Sequence, residues 1–152
     1  MSIIELGALG EFIGAIAVVA TLIYLAFQLR QNTEALRTST IESVERGISD
    51  LMSSWTASVE NAALVQRGFT SYDKLSEGEK AFIQYNLRRL LLHMDTMYWS
   101  YRRGLLPEEI WEREKSVLTF CVNSSGGRVA WRQRMGFSEP FREFVNAELI
   151  ES

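Results

Sequence analysis

The chain has 152 residues, the size of one domain, and its 16 basic and 19 acidic residues give a net charge of −3. That mild acidity argues against nonspecific nucleic-acid binding, and a single cysteine, Cys121, excludes an internal disulfide and a C-x-x-C metal site. Two prolines and ten glycines leave room for long helices, and no repeat or low-complexity tract is evident.

Charge is distributed unevenly. Every Lys and Arg lies at Arg30 or beyond, and residues 1–29 carry only Glu5 and Glu11. The stretch from Phe12 to Phe27 (FIGAIAVVATLIYLAF) has no charge. With Gln28 and Leu29 it makes roughly 27 Å of helix at 1.5 Å per residue, against a hydrocarbon core of about 30 Å. Its Leu, Ile, Val and Phe residues together contribute roughly −3 to −6 kcal/mol to insertion. A cleaved signal peptide would need a basic start and a small-residue cleavage site, which MSIIELGALGE and QLRQN do not supply. A buried soluble helix is normally apolar on one face, whereas this one is apolar all round. The expectation is a transmembrane anchor over residues 1–30, with Glu11 at one interface and Arg30, Gln31 and Asn32 as a polar stop at the other. Arg30, Arg37 and Arg46 follow the span and none precedes it, so the positive-inside rule puts the C-terminal side in the cytoplasm and the N-terminus outside it.

One stripe of this anchor is small or polar: Gly10, Gly14, Ala17, Thr21, Tyr24 and Gln28. Alternating steps of four and three residues keep the six on one face at the period of a left-handed helix pair. Gly10-x-x-x-Gly14 would let two backbones approach closely, and Thr21, Tyr24 and Gln28 could hydrogen-bond across the contact. The plain alternative is that Gly and Ala are common in such spans.

Residues 31–152 are expected to form a cytoplasmic, all-α bundle of about four helices that continues from the anchor. From Thr33 to about Arg67, Ile41, Val44, Ile48, Leu51, Trp55, Val59 and Ala62 recur at three- and four-residue steps, predicting one long amphipathic helix. Gly47 is its weak point and Gly68 its stop. FTSYDKLSEGEK is a connection, in which Ser76 and Glu79 form a capping box. The next helix runs from about Glu77 to Arg103, with Ile83, Leu87, Leu90, Leu91, Met94, Met97, Tyr98 and Tyr101 on its apolar face and Gly104 at its end. Pro107 suits the first turn of a third helix, with Glu108 and Glu109 at its positive end and Ile110, Trp111, Val117, Leu118, Phe120 and Cys121 as apolar residues. NSSGG (123–127) should break it, before a short helix around Val129–Met135. Ser138 should cap a last helix, with Pro140 in its first turn and Phe141, Phe144, Val145 and Leu149 facing inward.

Three segments, LIYLAFQLRQNTEALR, MDTMYWSYRRGLLPEEIWE and GGRVAWRQRMGFSEPFREFV, together cover much of the chain. With them it resembles a family of uncharacterised bacterial single-span membrane proteins that carry a C-terminal helical domain. The resemblance implies a bacterial inner-membrane location and one helical domain. It implies no activity and carries no site residues.

No catalytic, metal or cofactor constellation stands out. His93, the one histidine, has neither an H-x-x-x-H nor an E-x-x-H partner and reads as a hydrogen-bonded residue at the edge of the apolar face. Asp95 lies among apolar neighbours and is expected to pair with Arg88 or Arg102. Cys121 reads as a small core residue. Ser124-Ser125-Gly126-Gly127-Arg128 lacks the spacing and Lys of a phosphate loop and reads as loop and cap. Asn123-Ser124-Ser125 matches a glycosylation acceptor, which a cytoplasmic domain would never present. Glu108, Glu109, Glu112 and Glu114 read as a solvated helix face. Tyr98, Trp99, Tyr101, Arg102 and Arg103 could face a headgroup layer or a partner, though core rings with solvated arginines is the preferred reading.

The preferred function is therefore a non-enzymatic, membrane-anchored helical module with no cofactor and no nucleic-acid partner. It would lie in the lipid bilayer and act as a homo-oligomer or as the accessory or scaffold subunit of another membrane protein. The alternative is a membrane-tethered sensor holding a small apolar ligand among Met94, Met97, Tyr98 and Trp99.

Overall fold

No proline precedes Pro107, and between Ile3 and Thr70 the helix is interrupted once. The computed structural model describes residues 3–133 and 136–150. The fold is all-α, with six helices and a 3-10 turn among the described residues. In chain order these are α1 (Ile3–Trp55), α2 (Val59–Thr70), the turn Tyr72–Lys74, α3 (Glu77–Arg102), α4 (Glu108–Asn123), α5 (Ser125–Arg132) and α6 (Glu139–Glu148). The chain divides into two compact units, Met1–Ser39 and Thr40–Ser152.

Within the first unit the apolar part of α1 has nothing of the protein against it. Every large apolar side chain from Leu6 to Leu29 is at least 46% exposed. The most apolar 18-residue window has a mean hydropathy of 2.2, and none of it is buried. The helix is long and apolar enough to cross a membrane. Polar side chains along it turn back onto the helix: Thr21 Oγ1 donates to the Ala17 carbonyl at 2.8 Å, and Thr33 Oγ1 donates to that of Leu29 at 2.9 Å.

The second unit begins with the tail of α1, whose Val44, Leu51 and Trp55 are buried as the apolar stripe predicts. The stripe does not continue to Arg67. The helix stops at Trp55, and Val59 and Ala62 lie exposed. The cause is the local run Ser53-Ser54-Trp55-Thr56-Ala57-Ser58, whose hydroxyls compete for backbone groups. Ser54 Oγ and Thr56 Oγ1 donate to the carbonyls of Leu51 and Met52, and Ser58 caps α2 by accepting the Asn61 N–H at 3.1 Å. Such a cap stabilises a helix start by about 1 kcal/mol. Gly47 sits inside α1 without breaking it, and Gly68 lies inside α2 rather than ending it. A Cβ on Gly68 would lie 2.8 Å from Ile83 Cδ1, so its bareness serves the packing of α2 on α3.

α3 is the spine of this unit and packs against α2, α4, α5 and α6. It begins with the expected capping box, in which the Ser76 N–H donates to Glu79 Oε2 at 2.8 Å and the Glu79 N–H donates to Ser76 Oγ at 3.4 Å. The Ser76 backbone N–H holds the Glu79 carboxyl down at about 2. Gly104, at φ +69, ends the segment in the left-handed region that glycine tolerates. Leu90, Leu91, Met94 and Met97 form the core with Trp111, Leu118, Phe141 and Val145 from α4 and α6. Val117 and Phe120, two of the apolar residues of this helix, are 39% and 61% exposed, and Pro107 is the residue before α4 rather than part of its first turn.

The break after α4 is narrower than NSSGG suggests. Only Ser124 interrupts, and Gly126 and Gly127 belong to α5, which starts at Ser125 and ends at Arg132. Met135 of the expected short helix lies outside the described residues. The two glycines answer close approaches. A Cβ on Gly126 would lie 2.6 Å from the Gly68 carbonyl oxygen, and one on Gly127 would collide with the Cys121 carbonyl. α6 starts after Ser138 with Pro140 near its beginning, and Phe141 and Val145 are fully buried.

Candidate functional site

The six stripe residues lie along α1 in the first unit, all exposed. Nothing lies within 4 Å of where a Cβ would stand on Gly10 or Gly14, so both leave open backbone. Gln28 Nε2 donates to Tyr24 Oη at 2.7 Å, joining the last two residues of the stripe within one helix. A span that satisfies its own polar groups suits hydrocarbon, and bare glycines leave room for another backbone.

The second candidate surface divides between core and rim. Tyr98 is buried, stacked on Phe144 at 4.9 Å between ring centroids and packed near Trp111 and Phe141. Tyr101 stacks on Trp111 at 5.3 Å. Arg102 donates to Tyr98 Oη at 3.1 Å and lies over that ring, and Arg103 lies over Trp99 at 5.6 Å. Trp99 keeps 39% of its surface exposed while its indole N–H donates to Ser138 Oγ. Met94 and Met97, the other residues of the sensor alternative, have no exposed surface.

Asp95 does not pair with Arg88 or Arg102. Its Oδ1 accepts the Ser138 hydroxyl at 2.6 Å and its Oδ2 accepts the Ser138 N–H at 2.7 Å. Ser138 therefore makes no side-chain cap of its own. The carboxylate of α3 takes that role at the start of α6, where unsatisfied N–H groups and the positive end of the helix favour an anion. Glu114 is another departure. It is buried in α4 and accepts from Arg113 Nε at 2.8 Å, so it is not part of a solvated acidic face.

The remaining motifs resolve into packing. The Ser124 hydroxyl accepts the Gly127 N–H and donates to the Cys121 carbonyl, while the Ser125 hydroxyl accepts the Tyr72 N–H. Asn123 Nδ2 donates to the Leu149 carbonyl at 2.7 Å, joining the end of α4 to the end of α6. Burial pushes the Cys121 thiol up to about 12, far from a nucleophile's range. Among the described residues no group of three or more His, Cys, Asp or Glu side chains is placed to hold a metal ion.

His93 is the residue whose setting the sequence least discloses. It lies half-buried on α3 directly over Gly47 of α1, where a Cβ would stand 2.8 Å from its Nδ1 and 3.1 Å from its Nε2. As expected of an edge histidine, the ring has a hydrogen bond with the Val44 backbone, but its Nε2 is buried with no hydrogen-bond partner. Burial lowers its pKa below the ordinary histidine value, against weaker opposing pulls from the Val44 backbone and the Glu114 carboxylate. A cleft of about 250 Å³, lined by Gly47, Asp50, Leu51, Arg89, Leu92 and His93, opens beside it.

These features define an all-α protein whose first helix is long and apolar enough to cross a membrane and whose second unit is a helical domain. No known protein family, curated protein or solved structure matches the chain.

Proposed function

We propose that the chain is a single-span, non-enzymatic protein of the bacterial inner membrane, anchored by the apolar part of α1 and holding its helical domain in the cytoplasm. The observation that carries the reading is the bare apolar helix, whose large side chains from Leu6 to Leu29 find no cover in the protein. At about 1.5–3 kcal/mol per fully buried side chain, leaving them in water forgoes on the order of 20 kcal/mol, more than a domain's whole stability. Lipid is the cover that matches an all-round apolar surface. Arg30, Arg37 and Arg46 favour the cytoplasm for the side that follows the span.

The same helix supports lateral association with a second copy or with another membrane protein for which this chain is an accessory subunit. Gly10 and Gly14 are open, and Thr21, Tyr24 and Gln28 share their face. Replacing both Gly10 and Gly14 with Leu would fill the groove, and the particle in mild detergent is expected to shrink to one chain by light scattering behind size exclusion. An unchanged mass above one chain would place the contact elsewhere.

A further inference from the structure

The tail of α1 meets α3 at a contact built around one titratable group. Gly47 has no side chain, and the imidazole of His93 fills the space that any other residue would claim. Val44 and Leu51, on either side of Gly47, are buried in the same seam, and Trp55 fastens its far end by donating its indole N–H to Asn86 Oδ1 at 3.2 Å. The ring is thus held with Nε2 buried and without an acceptor. A neutral imidazole can leave one nitrogen as an unpaired acceptor at modest cost, whereas an imidazolium carries an N–H on both nitrogens and needs an acceptor for each.

We infer that the seam between the tail of α1 and α3 is a proton-operated latch, closed by neutral His93 over Gly47 and opened when His93 gains a proton. The charged groups around the ring agree with this. Arg89 on α3 lines the adjoining cleft, and its cation opposes a second positive charge there. Asp50 on α1 lines the same cleft, and the Glu114 carboxylate on α4 attracts the imidazolium, but burial outweighs that attraction. Opening the seam lets water solvate Nε2–H and returns the ring to the ordinary histidine range near about 6.5.

The sign follows from where the proton binds better. The open form has the higher pKa, so the closed form is fully favoured above about pH 6.5 and loses ground as pH falls through that value. The loss levels off below the lowered pKa of the closed form, at about tenfold in the opening equilibrium for each unit between the two.

Because His93 is the only histidine, one resonance reports the event. The full chain in detergent micelles is titrated by NMR on the His93 ring, and backbone amide exchange, corrected for intrinsic rates, is followed over Val44–Trp55. The expected midpoint lies below 6.5, with exchange over Val44–Trp55 rising as pH falls from 7 to 5. His93→Gln, which cannot titrate, should remove that rise. A midpoint at or above 6.5, or an acid-induced rise that persists in His93→Gln, overturns the inference; should that variant not fold, the native midpoint decides alone. Gly47→Ala, which displaces the ring, should give fast exchange over the same amides already at pH 7.5, and slow exchange there would also overturn it.

Discussion

Gly127→Ala is expected to destabilise the helical domain by about 1–3 kcal/mol, read as a lowered urea midpoint of tryptophan fluorescence in mild detergent. An alanine Cβ there would overlap the Cys121 carbonyl oxygen and lie 2.7 Å from both the Cys121 carbonyl carbon and Ser124 Oγ. None of these atoms is free to yield. The Cys121 carbonyl accepts from the Ser124 N–H at 3.1 Å and from its hydroxyl at 2.7 Å, while that hydroxyl accepts the Gly127 N–H. The corner between α4 and α5 must therefore open. Overpacking costs about 1–3 kcal/mol and the lost cap about 1 more, which outweighs the gain of roughly 1 kcal/mol from alanine's helix propensity. A wild-type midpoint would show that the corner is not built as described.

Trp111→Ala should cost about 3–5 kcal/mol in the same measurement. Trp111 is 1% exposed and sits where α3, α4 and α6 meet. Its ring stacks on Tyr101 and lies 5.6 Å from Tyr98 and 5.7 Å from Phe144. Each such pair contributes about 0.5–1.5 kcal/mol beyond the burial of area, so truncation removes both the indole's own burial and the support of three neighbours. Trp111→Phe keeps part of that support and should recover part of the loss. If truncation left the midpoint unchanged, Tyr98 and Tyr101 would not be core rings, and the whole Tyr98–Arg103 surface would be open to a membrane or a partner.

Much of this fold could be read locally. The apolar run from Phe12, the Ser76–Glu79 box and the glycine after Arg103 are short-range signals whose physics closes within a few residues, and the structure places helix and helix ends there. Where the reading failed, the deciding partner lies far away in the chain. Gly68 and Gly126 looked like breakers because glycine often ends helices, yet each is bare because another element passes against it. Asp95 looked like half of an ion pair, since arginines stood at helical spacing, while the actual claimant was the start of α6. The break at Thr56–Ser58 was the exception, because Ser58 followed three residues later by Asn61 is a local cap that the strong apolar stripe concealed.

The candidate sites divide in the same way. The stripe from Gly10 to Gln28 follows from helical periodicity, and its residues lie open on α1. His93 could be flagged as solitary from the sequence, but its seat over Gly47 brings together two residues from separate helices. Nothing in the spacing of either residue announces the other. Glu114 is similar: four acids in one helix read as a solvated face until Arg113 and the core claim one of them.

The central claim is that the apolar part of α1 lies in hydrocarbon. A nitroxide at Val18→Cys, in the protein reconstituted into lipid vesicles, tests it by accessibility to oxygen and to a water-soluble nickel chelate. Labelling can leave Cys121 in place, since that thiol is buried and pushed up to about 12. The account predicts collisions with oxygen well in excess of those with nickel, as in the interior of a bilayer. Nickel access equal to that of a label on exposed Tyr85→Cys would contradict it.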